Sequence, residues 1–316
     1  MTGISDILHL LVTADLWHAT LAAAILFLLP ALGGVISERS GVVNIAMEGM
    51  MLSGAFFAVV ADLAWHNPLL ATLVAMLAGG MMALIHAVVS IRFRADQIVS
   101  GIAINIFAAG LTLFLVNRIY GLQDVGHVGQ AALLPNITIP ILDQVPFLGA
   151  VLSQQNVVVY VALVLLVVIQ IVLFRTRLGL RIRAVGEHPQ AADTAGINVY
   201  AIRYGAVITS GLLSGLSGAF LAIGVSNTFV PNMTDGRGYI ALAAMIFGKW
   251  RPLGAFVACL IFGLGQAIYD NNSIIHVSPY FLSMLPYILT LIVLAGVVGR
   301  SIPPAADGIP YSPGTE

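Results

Sequence analysis

The sequence predicts an all-α polytopic membrane protein with about eight full transmembrane helices, one short or broken helix, and a short cytoplasmic helix between two of the spans. Three observations predict it. Only 9% of the 316 residues are charged and 59% are hydrophobic, with a mean hydropathy of +0.99, whereas a soluble domain carries roughly 25% charged residues. Apolar runs of about 20 residues, enough to cross a hydrocarbon core roughly 30 Å thick, recur along the chain. The arginines crowd some loops and avoid others. A net charge of −1 gives no reason to expect a nucleic acid partner.

The elements follow in order. The first sixteen residues contain Asp6 but no Lys or Arg, so the positive n-region of a cleavable signal is missing and the first span is expected to stay, behind a short external segment 1–16. Apolar runs then occupy residues 17–36, 45–63, 68–91, 98–117, 156–174, 203–224, 253–270 and 281–299. Between the sixth and seventh lies a shorter piece, Gly238 to Gly248. As a helix it rises only about 16 Å, too little to cross. A broken or half helix is expected there, shielded by neighbours, because lipid cannot satisfy loose backbone groups. The membrane-spanning body is thus placed at 17–299, with a cytoplasmic tail at 300–316.

Orientation follows from charge. Arg175, Arg177, Arg181, Arg183 and Arg203 flank or occupy one loop, whereas the 119–155 loop holds Asp124 and Asp143 and no Lys or Arg. The positive-inside rule makes the 175–203 segment cytoplasmic and the 119–155 loop external. Arg39, Arg92, Arg94 and Arg300 then also fall inside, and Arg118 and Arg237 are exceptions. The external loop carries many apolar residues (Leu133, Leu134, Ile137, Ile139, Ile141, Leu142, Val145, Phe147, Leu148), so part of it is expected to pack on the membrane surface. Small residues at fourfold spacing mark the third span (Ala71, Ala75, Gly79, Ala83, Ala87) and the sixth (Gly211 with Gly215, Ser214 with Gly218). Such stripes let helix backbones approach closely and predict a tight bundle.

The cytoplasmic segment reads RTRLGLRIRAVGEHPQAADTAGINVYAIR from Arg175 to Arg203. Pro189 is placed to open a helix and Gly196 to close it. The product is a helix of about two turns, marginal alone in water, so something must hold it.

This run from Thr176 to Ile197 resembles the coupling segment of bacterial ABC import permeases of the group serving ribose, branched-chain amino acids and nucleosides. Two further stretches are similar to that group: SERSGVVNIAMEGMMLSGA from Ser37 to Ala55, and GRGYIALAAMIFGKWRPLGA from Gly236 to Ala255. ERSGVVNIAMEGMM resembles the nucleoside branch most. The resemblance implies half of a two-permease pore in the bacterial inner membrane, importing a nucleoside or related small polar solute. It implies three kinds of protein partner: a second permease, identical or homologous; a cytoplasmic ABC ATPase; and a periplasmic or lipid-anchored solute-binding protein received by the external loop. It further implies that Glu187, His188, Pro189, Ala191, Ala192, Asp193, Ala195 and Gly196 form the element that docks on the ATPase.

The residues themselves call for a separate engine. A Walker A loop needs Gly-Lys followed by Ser or Thr, to bring an amine to phosphate and a hydroxyl to magnesium. Lys249, the chain's single lysine, is followed by Trp250. Any ATP and magnesium are therefore expected on a partner, and no cofactor on this chain.

Polar residues at membrane depth are the candidate pathway: Asn44, Glu48, Gln97, Asn105, Ser214 and Gln266. An intramembrane carboxylate such as Glu48 is a functional-site hypothesis by default. Its local partners on sequence are Arg39, Asn44 and the Ser37 to Gly41 turn, and its role is either pathway lining or positioning of a helix. The short helix has almost no side-chain polarity, so any polar contact it makes would come from backbone. Two rival readings are an ion-coupled secondary transporter, which favours several midplane acids, and an intramembrane enzyme, which needs a nucleophile and base that the sequence does not assemble. The seven histidines show no metal spacing and mostly sit at span ends. Cys259 reads as a small buried hydrophobe.

Overall fold

The computed structural model describes residues 13–121, 128–140, 145–271, 284, 288 and 301–313. The expected spans appear as α1 (Ala14–Arg39), α2 (Met47–Trp65), α3 (Pro68–Ala87, prolonged by a π turn Val88–Arg92), α4 (Gln97–Tyr120), α6 (Val157–Arg175), α9 (Val199–Ala219, prolonged by a π turn Phe220–Ser226) and α11 (Pro252–Asp270). The expected span at 281–299 lies outside the described residues. Four short helices complete the set among those residues: α5 (Pro146–Leu152), α7 (Arg177–Glu187), α8 (Pro189–Thr194) and α10 (Arg237–Phe247). The chain is an all-α polytopic membrane protein.

Side chains at the turns start several of the helices. Asn67 accepts from the N–H groups of Leu69 and Leu70 ahead of Pro68. Asp96 does the same for Ile98 and Val99, Asn156 for Val158, and Asn198 for Ala201. Each cap meets orphan donors that lipid could not. The apolar windows of α1, α2 and α9 are 89%, 78% and 83% buried, while those of α3, α4 and α6 are each 33% buried. The first three therefore form the centre of the bundle and the second three its lipid-facing wall.

The centre is held by the small-residue stripes, which face one another. A β-carbon added at Gly79 would lie 2.8 Å from Cα of Gly215, and one added at Gly54 would lie 2.6 Å from the same atom. Backbone touches backbone along this seam, where dispersion rather than a hydrophobic push drives association.

Two stretches interrupt the helical crossings. After Arg39 the chain turns at Ser40 and Gly41, the latter at φ +88°, and re-enters the bundle as an irregular segment before α2 begins. A β-carbon on Gly33 would meet Cα of Ser210 at 2.8 Å, and Ser210 is hydrogen-bonded to Asn44. Asn44 is therefore level with Gly33, about 9 Å inside the end of α1 at 1.5 Å per residue. The second interruption is residues 227–236, a run of turns leading to α10, which matches the half helix expected from its length. Segment 128–140 is stitched to the same end of the bundle: Val128, Ala131 and Leu134 donate backbone N–H groups to Phe229, Asn227 and Ile223, and Asp62 accepts from the N–H of Ala132. In this segment and the adjoining α5, Leu133, Ile137, Val145, Phe147 and Leu148 are exposed and Leu134 is buried; Ile141 and Leu142 lie outside the described residues.

At the arginine-rich end, residues 301–313 do not trail away. Ala306 N–H donates to Gly186 O (2.9 Å) and Ala305 N–H to Glu187 Oε2 (3.1 Å). Arg203, expected only as a flanking loop charge, is 1% exposed and donates to Ser40 O and Ile309 O. Burial pushes the Asp307 carboxyl up to about 7, against the pull of Arg203 on α9 and with Glu38 of α1 hydrogen-bonded to it. The docked segment therefore takes up a proton that the free segment releases. Docking draws its full support below the ordinary carboxylate range and loses it as pH rises through about 7. Limited proteolysis of residues 301–313 is accordingly expected to accelerate from about pH 6 to about pH 8, and Asp307→Asn to flatten that dependence.

Candidate functional site

The irregular segment 42–46 sits at membrane depth with backbone groups that no helix satisfies, and such groups must be met from inside the protein. Side chains meet them one by one. Gln97 Oε1 accepts from Val43 N–H (2.7 Å). His86 Nε2 donates to Val43 O (3.0 Å), so its Nδ1 accepts from the Ser100 hydroxyl (3.0 Å). Ser37 Oγ donates to Val42 O (2.7 Å) and Asn44 Oδ1 accepts from Ala46 N–H (3.1 Å). Asn105 Nδ2 donates to Ile45 O (3.0 Å), and its Oδ1 accepts from Gly49 N–H (2.8 Å).

Beside this segment stands the N-terminus of α10. The Glu48 carboxylate accepts from Gly236 N–H (2.9 Å) and Gly238 N–H (2.7 Å). Two of the helix's orphan donors are thereby satisfied, and a negative charge is set against the positive end of the helix dipole. Sequence reasoning placed Glu48's partner at Arg39, Asn44 or the Ser37 to Gly41 turn; that is corrected here. Arg39 instead donates to the backbone of Trp250 and Lys249, because the half helix, and no side chain, ends beside Glu48. Gly238 is required at this contact, since a β-carbon there would fall 2.5 Å from Glu48 N. Arg237, an exception to the charge rule, is explained locally: its guanidinium donates to Met233 O and Thr234 O in the turns before α10.

Asn105 links the two parts, because its Nδ2 also donates to Tyr239 Oη (3.0 Å) on α10. Tyr239 is 45% exposed whereas Asn105 and Glu48 are buried, so the phenol is the side chain of this cluster that faces open space. Of the six expected pathway residues, Asn44, Glu48, Gln97 and Asn105 converge here. Ser214 lies one turn from Ser210 and donates to its carbonyl, while Asn44 donates to the Ser210 hydroxyl. Gln266 stands apart, bonded to Asp270 on its own helix. Sequence reasoning missed His86 and Tyr239. His86 was read with the interfacial histidines but is fully buried; the signal available was its place in the small-residue stripe face, three residues after Ala83. Asn105→Leu is expected to leave Ile45 O and Gly49 N–H unpaired in a dry site, a cost of about 3 kcal/mol, measured as a lower melting temperature of the purified protein together with lost uptake.

The expected coupling residues form a second cluster. Pro189 opens α8 and Gly196, at φ +80°, follows its end, as the sequence predicts. Glu187, His188, Ala191, Asp193, Ala195 and Gly196 are exposed, but Pro189 and Ala192 are not. Ala192 is 4% exposed, in contact with Val185, Val199 and Tyr311. These two pack α8 against the protein while the other six face outward: a six-residue helix can stay folded only by burying one face.

The chain matches the family described as "Branched-chain amino acid transport system / permease component" over residues 17–294. It is 45% identical over 307 residues to the guanosine ABC transporter permease protein NupQ of Bacillus subtilis, covering 94% of this chain and 96% of that one. It is 41% identical over 292 residues to the nucleoside ABC transporter permease protein NupC of Lactococcus lactis, covering 89% and 91%. A more distant relative, the guanosine ABC transporter permease protein NupP of Bacillus subtilis, is 27% identical over 75% of this chain and 69% of its own length. No solved structure matches.

Proposed function

Because the chain belongs to the branched-chain amino acid transport system permease family, as a permease subunit of an ABC transporter, we propose that it imports nucleosides across a bacterial plasma membrane as one half of a two-permease pore. The observation that carries the substrate class is the similarity, along nearly the whole chain, to permeases named for guanosine and nucleosides. The site's chemistry agrees with it. The half-exposed Tyr239 phenol, held in place by Asn105, offers a stackable ring and a hydroxyl beside a half-helix terminus, an arrangement suited to a base and ribose hydroxyls. The second permease is proposed to be a homologue, since Bacillus subtilis has both NupQ and the more distant NupP.

The arginine-rich end with α7 and α8 is read as cytoplasmic, and the 119–155 loop as the external face that receives a solute-binding protein. The exposed surface of α8 (Glu187, His188, Ala191, Asp193, Ala195, Gly196) docks on a separate ATPase, which binds ATP and magnesium. Closing of that ATPase moves α8, and the pore opens alternately to the two sides.

The test is uptake of labelled guanosine, adenosine and ribose by cells that carry or lack the accompanying ATPase. Nucleoside uptake that needs both the ATPase and this chain supports the reading. Uptake by this chain without the ATPase, or of ribose in preference to nucleosides, overturns it.

A further inference from the structure

Segment 301–313 touches both the coupling helix and the turn that leads into the site. On the first side, Ala306 N–H and Ala305 N–H bind Gly186 O and the Glu187 carboxylate at the end of α7. Tyr311, 4% exposed, packs with Ala192, Val185 and Val199 and stands edge-on to Tyr200 at 5.5 Å. It thus covers the buried face of α8. On the second side, Arg203 joins Ile309 O to Ser40 O. Asp307 is hydrogen-bonded to Glu38, whose Oε2 accepts from Trp250 Nε1 at 2.6 Å. Ser301 donates to Ile246 O near the end of α10. Glu38 and Ser40 flank the turn from which segment 42–46 climbs to Asn44 and Glu48.

A helix of six residues has no stiffness of its own to transmit a displacement. Among the described residues, α8 contacts the bundle through the start of α9 and through α7; these reach the α1–α2 turn at Gly186, packed against the Arg39 carbonyl, and at Arg203, whose guanidinium bridges Ser40 O to Ile309 O of segment 301–313. We propose that residues 301–313 are a positioning strut, with Tyr311 as its contact on α8 and with Asp307, the Ala306 carbonyl beside Gly41 and, by way of Arg203, Ile309 as its contacts toward the α1–α2 turn. The strut keeps α8 in register with the segment that bears Asn44 and Glu48. This rests on α8 being the element that meets the ATPase, as proposed above. Displacement of α8 then arrives at the site through the strut, and without it ATP is spent with little solute moved.

The experiment uses the complete transporter with its ATPase and second permease in proteoliposomes, reading nucleoside moved per ATP hydrolysed. Tyr311→Ala is expected to lower that ratio by about fivefold or more, the scale of a coupling free energy of 1 kcal/mol and upward, with basal ATPase retained. Tyr311→Phe, which keeps the packing, restores most of the ratio. A truncation after Arg300 should exceed Tyr311→Ala; if it prevents assembly, the two point variants decide. Ala191→Arg, on the exposed face of α8, is the companion. An unchanged ratio in Tyr311→Ala alongside a collapsed one in Ala191→Arg overturns the strut and leaves the docking reading intact. If neither variant changes the ratio, the docking reading fails and the strut with it.

Discussion

Alanine at position 48 is expected to abolish uptake while the rest of the bundle still assembles. The Glu48 carboxylate holds two N–H groups at the head of α10, at 2.9 and 2.7 Å, and hydrogen bonds to a charged acceptor contribute about 1.5–3 kcal/mol each. Removing it leaves both donors without their acceptor at the head of α10, and removes the anion from the positive end of a helix dipole. The total, roughly 3–6 kcal/mol, corresponds to at least a hundredfold shift away from the docked arrangement of α10. Glu48→Gln keeps one acceptor and turns an amide N–H toward the second donor, so it should fall between wild type and alanine. Glu48→Asp preserves charge but withdraws it by one methylene, and a result close to alanine would show that reach matters as much as charge. Uptake in vesicles, normalised to the amount of permease in the membrane, is the measurement. Wild-type uptake by Glu48→Ala would sink the site as described.

The second large effect is expected from Ala191→Arg. Ala191 is exposed on α8, so the substitution costs the permease little, within about 0.5 kcal/mol, yet places a long charged side chain where the ATPase is proposed to dock. Substrate-stimulated ATPase activity of the complex should vanish while the melting temperature of the isolated permease stays unchanged. Ala192→Arg makes the contrast. At that buried position, against Tyr311 and Val199, an arginine must push α8 off the protein or bury an unpaired charge. It should lower the melting temperature as well as the activity, and so cannot by itself report on docking.

The seven described spans, the half helix at 237–247 and the short helix between Pro189 and Gly196 were legible because each is written in properties of the segment itself: the length of an apolar run, a proline at its head, a glycine after its end. The seam between α3 and α9 was legible for the same reason, as a period of small residues. Asn44, Glu48, Gln97 and Asn105 could be picked out because polar groups at depth are rare. What they bind could not be read. Their partners are backbone groups of Val43, Ile45, Ala46, Gly49, Gly236 and Gly238, and a peptide N–H carries no mark in the sequence. VVNIA looks like the opening of a span, and only the bundle reveals that it is not helical. The docking of 301–313 was hidden likewise: Arg203 looks like one more inside charge until Ser40 and Ile309 are seen around it.

The glycine seam has a mechanical consequence. Two helices in contact backbone to backbone have no side chains between them to bend or exchange rotamers, so α3 and α9 behave as one rigid plank with α2 pressed against it at Gly54. Deformation must be concentrated where the chain has no helical ladder to break, and the described residues offer two such hinges in the bundle, 42–46 and 227–236. Both border Glu48. The carboxylate that clips one hinge to the other is thus the latch on the compliant part of an otherwise stiff machine, and the work delivered from outside is spent on opening it.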